Sequence, residues 1–441
     1  MKPVSEARNA LEGPIVRNAA SLYGTTIVTS VFGFFYWFIA ARMVPARAVG
    51  MASAIQSAAQ LISIFCVLGL STLLISELSS DKKQARSLML TAATGVGVFA
   101  LIVSGIAGIG LKALSSSLRP GLASSTGIIV FTLVCAFTTI LLVLDDSCIG
   151  LLRGDLQLRR NTVFAVSKLL FLPVLITVWP NRSGTELVVA WMAGLVISLV
   201  VLVQGLRTLT RGQSSRLDFK RIFEKRRLMV GHHFLNLSIA SPSLILPVLV
   251  AVIVGAEANA AYTAASLVIG FVNVIPAQLS TVLFALAPGD EVALRREIPK
   301  TMRICLALAL ASAPFFVIFS SLILRVFGHD YEAATAAMAI LGFTTYPYAI
   351  KAHYVAIARV RGRMRQAALW TIVGAGLEVG LAATGGAFYG LTGVGVGFLA
   401  ASLIEAALYS PSVFGVVRAA HMSNISSTEG RKGGGRRSEP E

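Results

Sequence analysis

From Asn18 to Val417 the chain repeats one pattern, a run of roughly twenty apolar, uncharged residues followed by a short charged cluster. A run of ~20 apolar residues matches the ~30 Å hydrocarbon core of a bilayer. In that solvent every backbone N–H and C=O needs an internal partner, so each run must form a helix. Twelve spans are predicted, near 18–41, 52–76, 87–111, 120–144, 161–180, 187–206, 229–254, 258–287, 304–324, 333–350, 367–388 and 394–417. The fourth has room to extend past Asp145 and Asp146 toward Leu152. The first is longer than the ~7–15 apolar residues of a cleaved signal, and it is expected to remain as a span.

Composition excludes a soluble chain. Hydrophobic residues make up 55% of it and charged residues 13%, with mean hydropathy +0.76, whereas about a quarter of residues in soluble domains carry charge. A net charge of +17 would in a soluble protein suggest a nucleic-acid partner. Its distribution argues otherwise: of 38 Lys and Arg, 31 lie at the N-terminus and in every second loop, 6 in the alternate loops, and Lys168 in a span. Because basic loops are retained in the cytoplasm, both termini are predicted to be cytoplasmic.

The longest basic stretch, Arg207 to Arg227, separates spans six and seven. The expected plan is a six-helix lobe over 1–206, a basic cytoplasmic linker over 207–228, a second six-helix lobe over 229–417, and a disordered cytoplasmic tail over 418–441. Phe219, Ile222 and Phe223 recur in the linker at helical spacing among Lys and Arg. That pattern fits a short helix on anionic lipid as well as a solvated linker. Two equal halves of six spans are a common transporter plan.

Polar side chains inside spans are costly, so they mark candidate sites. Asn18, Ser21, Thr25 and Thr29 form a stripe on span one, and Ser53, Gln56, Gln60 and Ser63 a stripe on span two. Either stripe serves to line a cavity or to pack neighbouring helices. Lys168 lies eight residues into span five from Arg160; it either snorkels to the headgroups or faces a cavity with Asn161 as a point charge for a phosphate. Glu378 and Glu405 fall near the midplane of spans eleven and twelve, where they are candidates for binding a coupling proton or sodium ion, or for a structural hydrogen bond.

Pro242, Pro247, Pro276, Pro314, Pro347 and Pro411 each remove a helix hydrogen bond and are candidate hinges. Gly393, Gly395 and Gly397 are read as permitting close helix packing. Cys66, Cys135, Cys148 and Cys305 have no metal-ligand spacing and are read as packing residues. There is no phosphate-binding loop, metal cluster or nucleophile–base signature, so neither enzyme activity nor a cofactor is expected.

The stretches "VGMASAIQSAAQLISIFCVLGLSTLLI" (49–75), "GLLRGDLQLRRNTVFAVSKLLFLP" (150–173), "VFGHDYEAA" (326–334), "YVAIARVRGRMRQAA" (354–368) and "YGLTGVGVGFLAASLIEA" (389–406) carry a resemblance over nearly the whole chain. It resembles the polysaccharide-transporter family of O-antigen-type flippases, within the multidrug/oligosaccharidyl-lipid/polysaccharide (MOP) exporter superfamily. The resemblance implies an all-α membrane protein of two six-helix lobes around a central cleft. It also implies a cargo of oligosaccharide on undecaprenyl diphosphate, moved across the inner membrane. Arg153, Arg159, Arg160 and Lys168 match that family's basic segment and are candidates for meeting the diphosphate. A polysaccharide polymerase and glycosyltransferases are implied as partners. Many relatives carry fourteen spans; two fewer here point away from a peptidoglycan precursor as cargo. Two other readings are a cation-coupled antiporter of the multidrug type, with Glu378 and Glu405 as its cation site, and a non-transporting subunit of a polysaccharide assembly complex.

Overall fold

The structure, a computed structural model, describes residues 14–80, 82–178, 182–286 and 291–433, which contain helices and no strand. The helices are α1 (Pro14–Met43), α2 (Ala46–Cys66), α3 (Leu70–Ser80), α4 (Ala85–Leu114), α5 (Ser125–Gly150), α6 (Gly154–Val178), α7 (Thr185–Leu209), α8 (Phe219–Glu224), α9 (Arg226–Ile253), α10 (Ala256–Leu286), α11 (Glu291–Phe327), α12 (Thr335–Leu341), α13 (Thr345–Val360) and α14 (Met364–Gly433), with shorter turns between some of them. Eleven helical segments are long and apolar enough to cross a membrane.

The last of these segments supplies the twelfth span. Tyr389 (φ −131°) and Gly390 (φ 59°) are non-helical and divide α14 into two limbs. A Cβ on Gly393 would collide with the carbonyl of Gly385, and one on Gly397 with the carbonyl of Leu381. The limbs are therefore an antiparallel hairpin whose backbones touch where the sequence has glycine. The tail expected to be disordered from 418 continues as helix in α14 to Gly433. Its last residues, 434–441, lie outside those described.

Two spans differ from expectation in shape. Span two, expected unbroken over 52–76, is α2 and α3 joined at Val67–Gly69, where Leu68 (φ 51°) and Gly69 (φ 76°) leave the helical region. The break lies in a continuous apolar stretch, so hydropathy does not mark it. Span ten, expected over 333–350, is α12, a 3₁₀ turn at Gly342–Thr344, and α13. That places Lys351 inside a helix. Pro347 stands in the first turn of α13, where an N–H has no helical acceptor anyway; it is a helix start there, not a hinge.

The chain forms two compact units, Met1–Ala265 with Ile323–Ala334, and Ser266–Leu322 with Thr335–Glu441. In the first, α6 packs on α7 and α1, and α4 packs on α5. Cys66 is buried with Ala100 and Ala136, a packing role. Asn259 donates to the carbonyl of Gly50 (2.7 Å) and to Ser53 Oγ (3.0 Å), joining the start of α10 to α2. On α4, Ile102, Ile106 and Ile109 stay 58–69% exposed in a stripe at helical spacing. Water would penalise such a face, whereas lipid solvates it.

The basic linker is anchored to the first unit. Asp218 caps α8 by accepting from the N–H of Arg221 (3.1 Å), and its own N–H donates to Thr91 (2.9 Å). Arg221 pairs with Glu77 of α3 at 3.0 Å, and Lys225 pairs with the same carboxylate. Phe219 and Phe223 of α8 remain exposed, as the surface-helix reading requires. The hydrogen bond from Lys225, with Arg221 beside it, holds Glu77 below the ordinary glutamate range. A depressed carboxylate contributes fully above its unfolded value and loses that contribution as pH falls through the lowered one. The clamp is thus intact at neutral pH. Glu77→Gln is expected to speed tryptic cleavage of the linker several-fold at pH 7, read by gel; unchanged cleavage would mean the ion pairs do not hold the linker.

Candidate functional site

Both units bury charged side chains among the described residues. In the first unit, Lys168 lies on α6, 3% exposed. Its ammonium stands 4.0 Å from the ring centroid of Trp191, 4.8 Å from Phe164 and 5.1 Å from Tyr36. Phe164 precedes it by one helical turn; Tyr36 comes from α1 and Trp191 from α7. The cage is rigid, because Phe164 and Tyr36 both meet Trp191 edge-on, and the Tyr36 hydroxyl donates to the carbonyl of Leu187 (2.5 Å). Ring faces attract a cation by their quadrupole. Among the described residues no carboxylate pairs with Lys168, so the cage holds the ammonium without neutralising it.

The other candidates of that segment go elsewhere. Arg160, buried, binds Asp145 of α5, its Nε 3.1 Å from Oδ1. Asn161, expected on the face of Lys168, donates to Asp145 (3.4 Å) and to the carbonyl of Gln157 (3.0 Å). Arg153 makes a two-pronged pair with Asp155 at 2.7 Å. Arg159 is exposed and, among the described residues, has no ion pair. Asn18 accepts from the N–H of Gly154 at 2.7 Å and ties α1 to the start of α6. Gln56 and Gln60 are half-buried on α2, and neither side chain bonds to another described residue. Of the predicted basic set, Lys168 and Arg159 have no carboxylate partner among the described residues.

In the second unit, Glu378 on the first limb of α14 and Glu405 on the second converge on one cation. Lys351 of α13 reaches Glu378 at 3.0 Å and Glu405 at 2.9 Å. All three residues are at least nine-tenths buried. Glu405 Oε1 has no hydrogen-bond partner, and a Cβ on Gly374 would collide with it. With every group ionised the triad carries one net negative charge, a place for a proton or a small cation. Lys351 was missed as a site residue because it stood one position beyond the expected end of span ten. The signal was its distance from the basic cluster: eight residues separate it from Arg359, as eight separate Lys168 from Arg160.

Among the described residues no group of three His, Cys, Asp or Glu is arranged to hold a metal ion. The buried charges lie on helices apolar enough to cross a membrane, where such side chains mark candidate sites. A multidrug resistance MATE family transporter of the MOP superfamily, solved in an inward-facing conformation, is similar over 92% of this chain and 99% of its own, at 15% identity and TM-score 0.66. A MOP superfamily transporter from Pyrococcus furiosus matches over 92% and 96%, at 15% identity and TM-score 0.60. A Vibrio cholerae MATE transporter matches over 93% and 98%, at 14% identity and TM-score 0.60. No curated protein matches the sequence. Residues 15–286 match the family described as polysaccharide biosynthesis protein. The chain belongs to that family, and its fold is similar to that of the MATE transporters.

Proposed function

We propose that this protein is a flippase that carries a polyprenyl-diphosphate-linked oligosaccharide from the cytoplasmic to the outer leaflet of the inner membrane. The cargo would feed lipopolysaccharide or exopolysaccharide export, with both protein termini in the cytoplasm and a polymerase and glycosyltransferases acting before and after it. The observation that carries the reading is Lys168: a buried lysine with no carboxylate partner among the described residues calls for an anion from outside the chain. A diphosphate supplies one, and its polyprenyl tail can stay in lipid while the headgroup moves through a polar path. Asn18, Gln56 and Gln60 are proposed to line that path, and Arg153, Arg159 and Arg160 to flank its entrance. Arg160 and Asn161 do so as a scaffold organised by Asp145. Glu378 and Glu405 are proposed as the ion-coupling pair, sharing Lys351. The lobes 1–206 and 229–417, joined by the linker 207–228, are proposed as the moving bodies.

The test is reconstitution in liposomes with a fluorescent undecaprenyl-diphosphate oligosaccharide, following the rate at which the label becomes accessible on the far leaflet. Protein-dependent acceleration is expected. No acceleration with several glycans, together with pH-driven efflux of small organic cations, would replace the reading with a cation-coupled antiporter, for which the carboxylates of the triad are the supporting observation.

A further inference from the structure

Where α13 passes into α14, a cavity of about 220 Å³ opens beside both limbs of the hairpin. Its deep wall is Tyr354 against Tyr409, both buried, with rings stacked 4.4 Å apart and 5° from parallel. Tyr409 spends its hydroxyl on the carbonyl of Trp370 (3.1 Å), so it offers the cavity its ring. Its outer rim is Arg361, Arg363 and Gln366, all exposed, and Trp370, 44% exposed. The joining turn fixes the rim: Gly362 is left-handed (φ 67°), and the N–H of Arg363 donates back to the carbonyl of Ala358 (2.8 Å). Arg361 is held by Glu291 at 3.2 Å and 2.5 Å. Arg363 has no ion pair among the described residues.

Two guanidinium groups over aromatic walls disfavour a cation, and a neutral solute leaves them unused. The cavity also borders lipid, because Leu408 in its lining is 49% exposed on a spanning helix. Trp and Tyr belong at the headgroup level of a bilayer. Basic pockets between spanning helices hold phosphorylated headgroups, and a guanidinium meets phosphate oxygens in a two-pronged fork. We propose that this cavity binds the phosphate-bearing headgroup of a membrane lipid. Arg363 is its principal ligand, Arg361 a second cation kept in place by Glu291, and Trp370 with the tyrosine pair the contact for the carbon framework beside the phosphate. The site is separate from Lys168 and stands whether or not the flippase reading holds.

The lipid phosphate can come from an anionic phospholipid of the bilayer or from a polyprenyl diphosphate, and binding measurements separate the two. Full-length protein in neutral detergent is titrated with dioleoylphosphatidylglycerol and with undecaprenyl diphosphate, and dissociation constants are read by native mass spectrometry. Arg363→Gln is expected to weaken binding about tenfold or more, the scale of one charge-assisted phosphate contact, with partial recovery in Arg363→Lys. Loss for both lipids assigns a general lipid-phosphate site; loss for one alone assigns that lipid as its occupant. Equal binding of both lipids by wild type and Arg363→Gln overturns the proposal. A second readout needs no charge variant: a brominated analogue of the lipid so assigned quenches tryptophan fluorescence in wild type, and Trp370→Phe is expected to remove that component. Unchanged quenching in Trp370→Phe overturns the proposal as well.

Discussion

Replacing Lys351 with Met is expected to destabilise the protein by roughly 3–5 kcal/mol, the cost of leaving buried carboxylates without their cation. The substitution leaves Glu378 and Glu405 facing each other where Lys351 now stands within 3.0 Å of both. Each must then take up a proton or repel the other. Thermal unfolding in detergent measures the loss, and the double variant Lys351→Met with Glu405→Gln is expected to recover much of it by removing the surplus charge. Glu405→Gln alone separates scaffold from coupling. It keeps a neutral Lys351–Glu378 pair, so the fold is retained, but it removes the carboxylate whose Oε1 has no partner. Transport by Glu405→Gln should no longer respond to an imposed proton or sodium gradient. If its gradient dependence equals that of wild type, the triad is structural and the coupling site lies elsewhere.

The reach of the sequence follows from the physics each signal reports. Hydropathy reports transfer into lipid, so twelve spans could be read from it, including the pair that α14 joins across Tyr389 and Gly390. It is silent on backbone breaks inside apolar stretches, and the turns at Val67–Gly69 and Gly342–Thr344 were not foreseen. Three consequences came from those two turns: the split of span two, the role of Pro347 and the burial of Lys351. Spacing placed Glu378 and Glu405 at similar depth, but only the hairpin brings them to one ammonium. The same limit separates Lys168 from Asn161. Seven residues should bring them to one face, yet Asp145 on α5 draws the amide away, and no count along α6 contains α5. The cage around Lys168 is built from three helices, and only Phe164 was close enough in sequence to be seen.

Lys168→Met is expected to abolish transport while leaving stability unchanged or higher. An ammonium in an aromatic cage gains about 0.5–2 kcal/mol from the rings, against a desolvation cost of several kcal/mol for a buried ion. A thioether of similar length restores the packing without that cost. A residue whose charge lowers stability and is paired with no carboxylate has its use in what it binds, so stability and transport should move apart in this variant. Lys168→Arg keeps the charge but brings a planar fork into a cage shaped around a point cation, and it is expected to transport at a reduced rate. Thermal unfolding and the liposome assay on the same preparations decide the matter. Wild-type transport by Lys168→Met would take the lysine out of the cargo path, and with it the observation that carries the flippase reading. A joint fall in stability and transport would make the cage part of the packing of α1, α6 and α7.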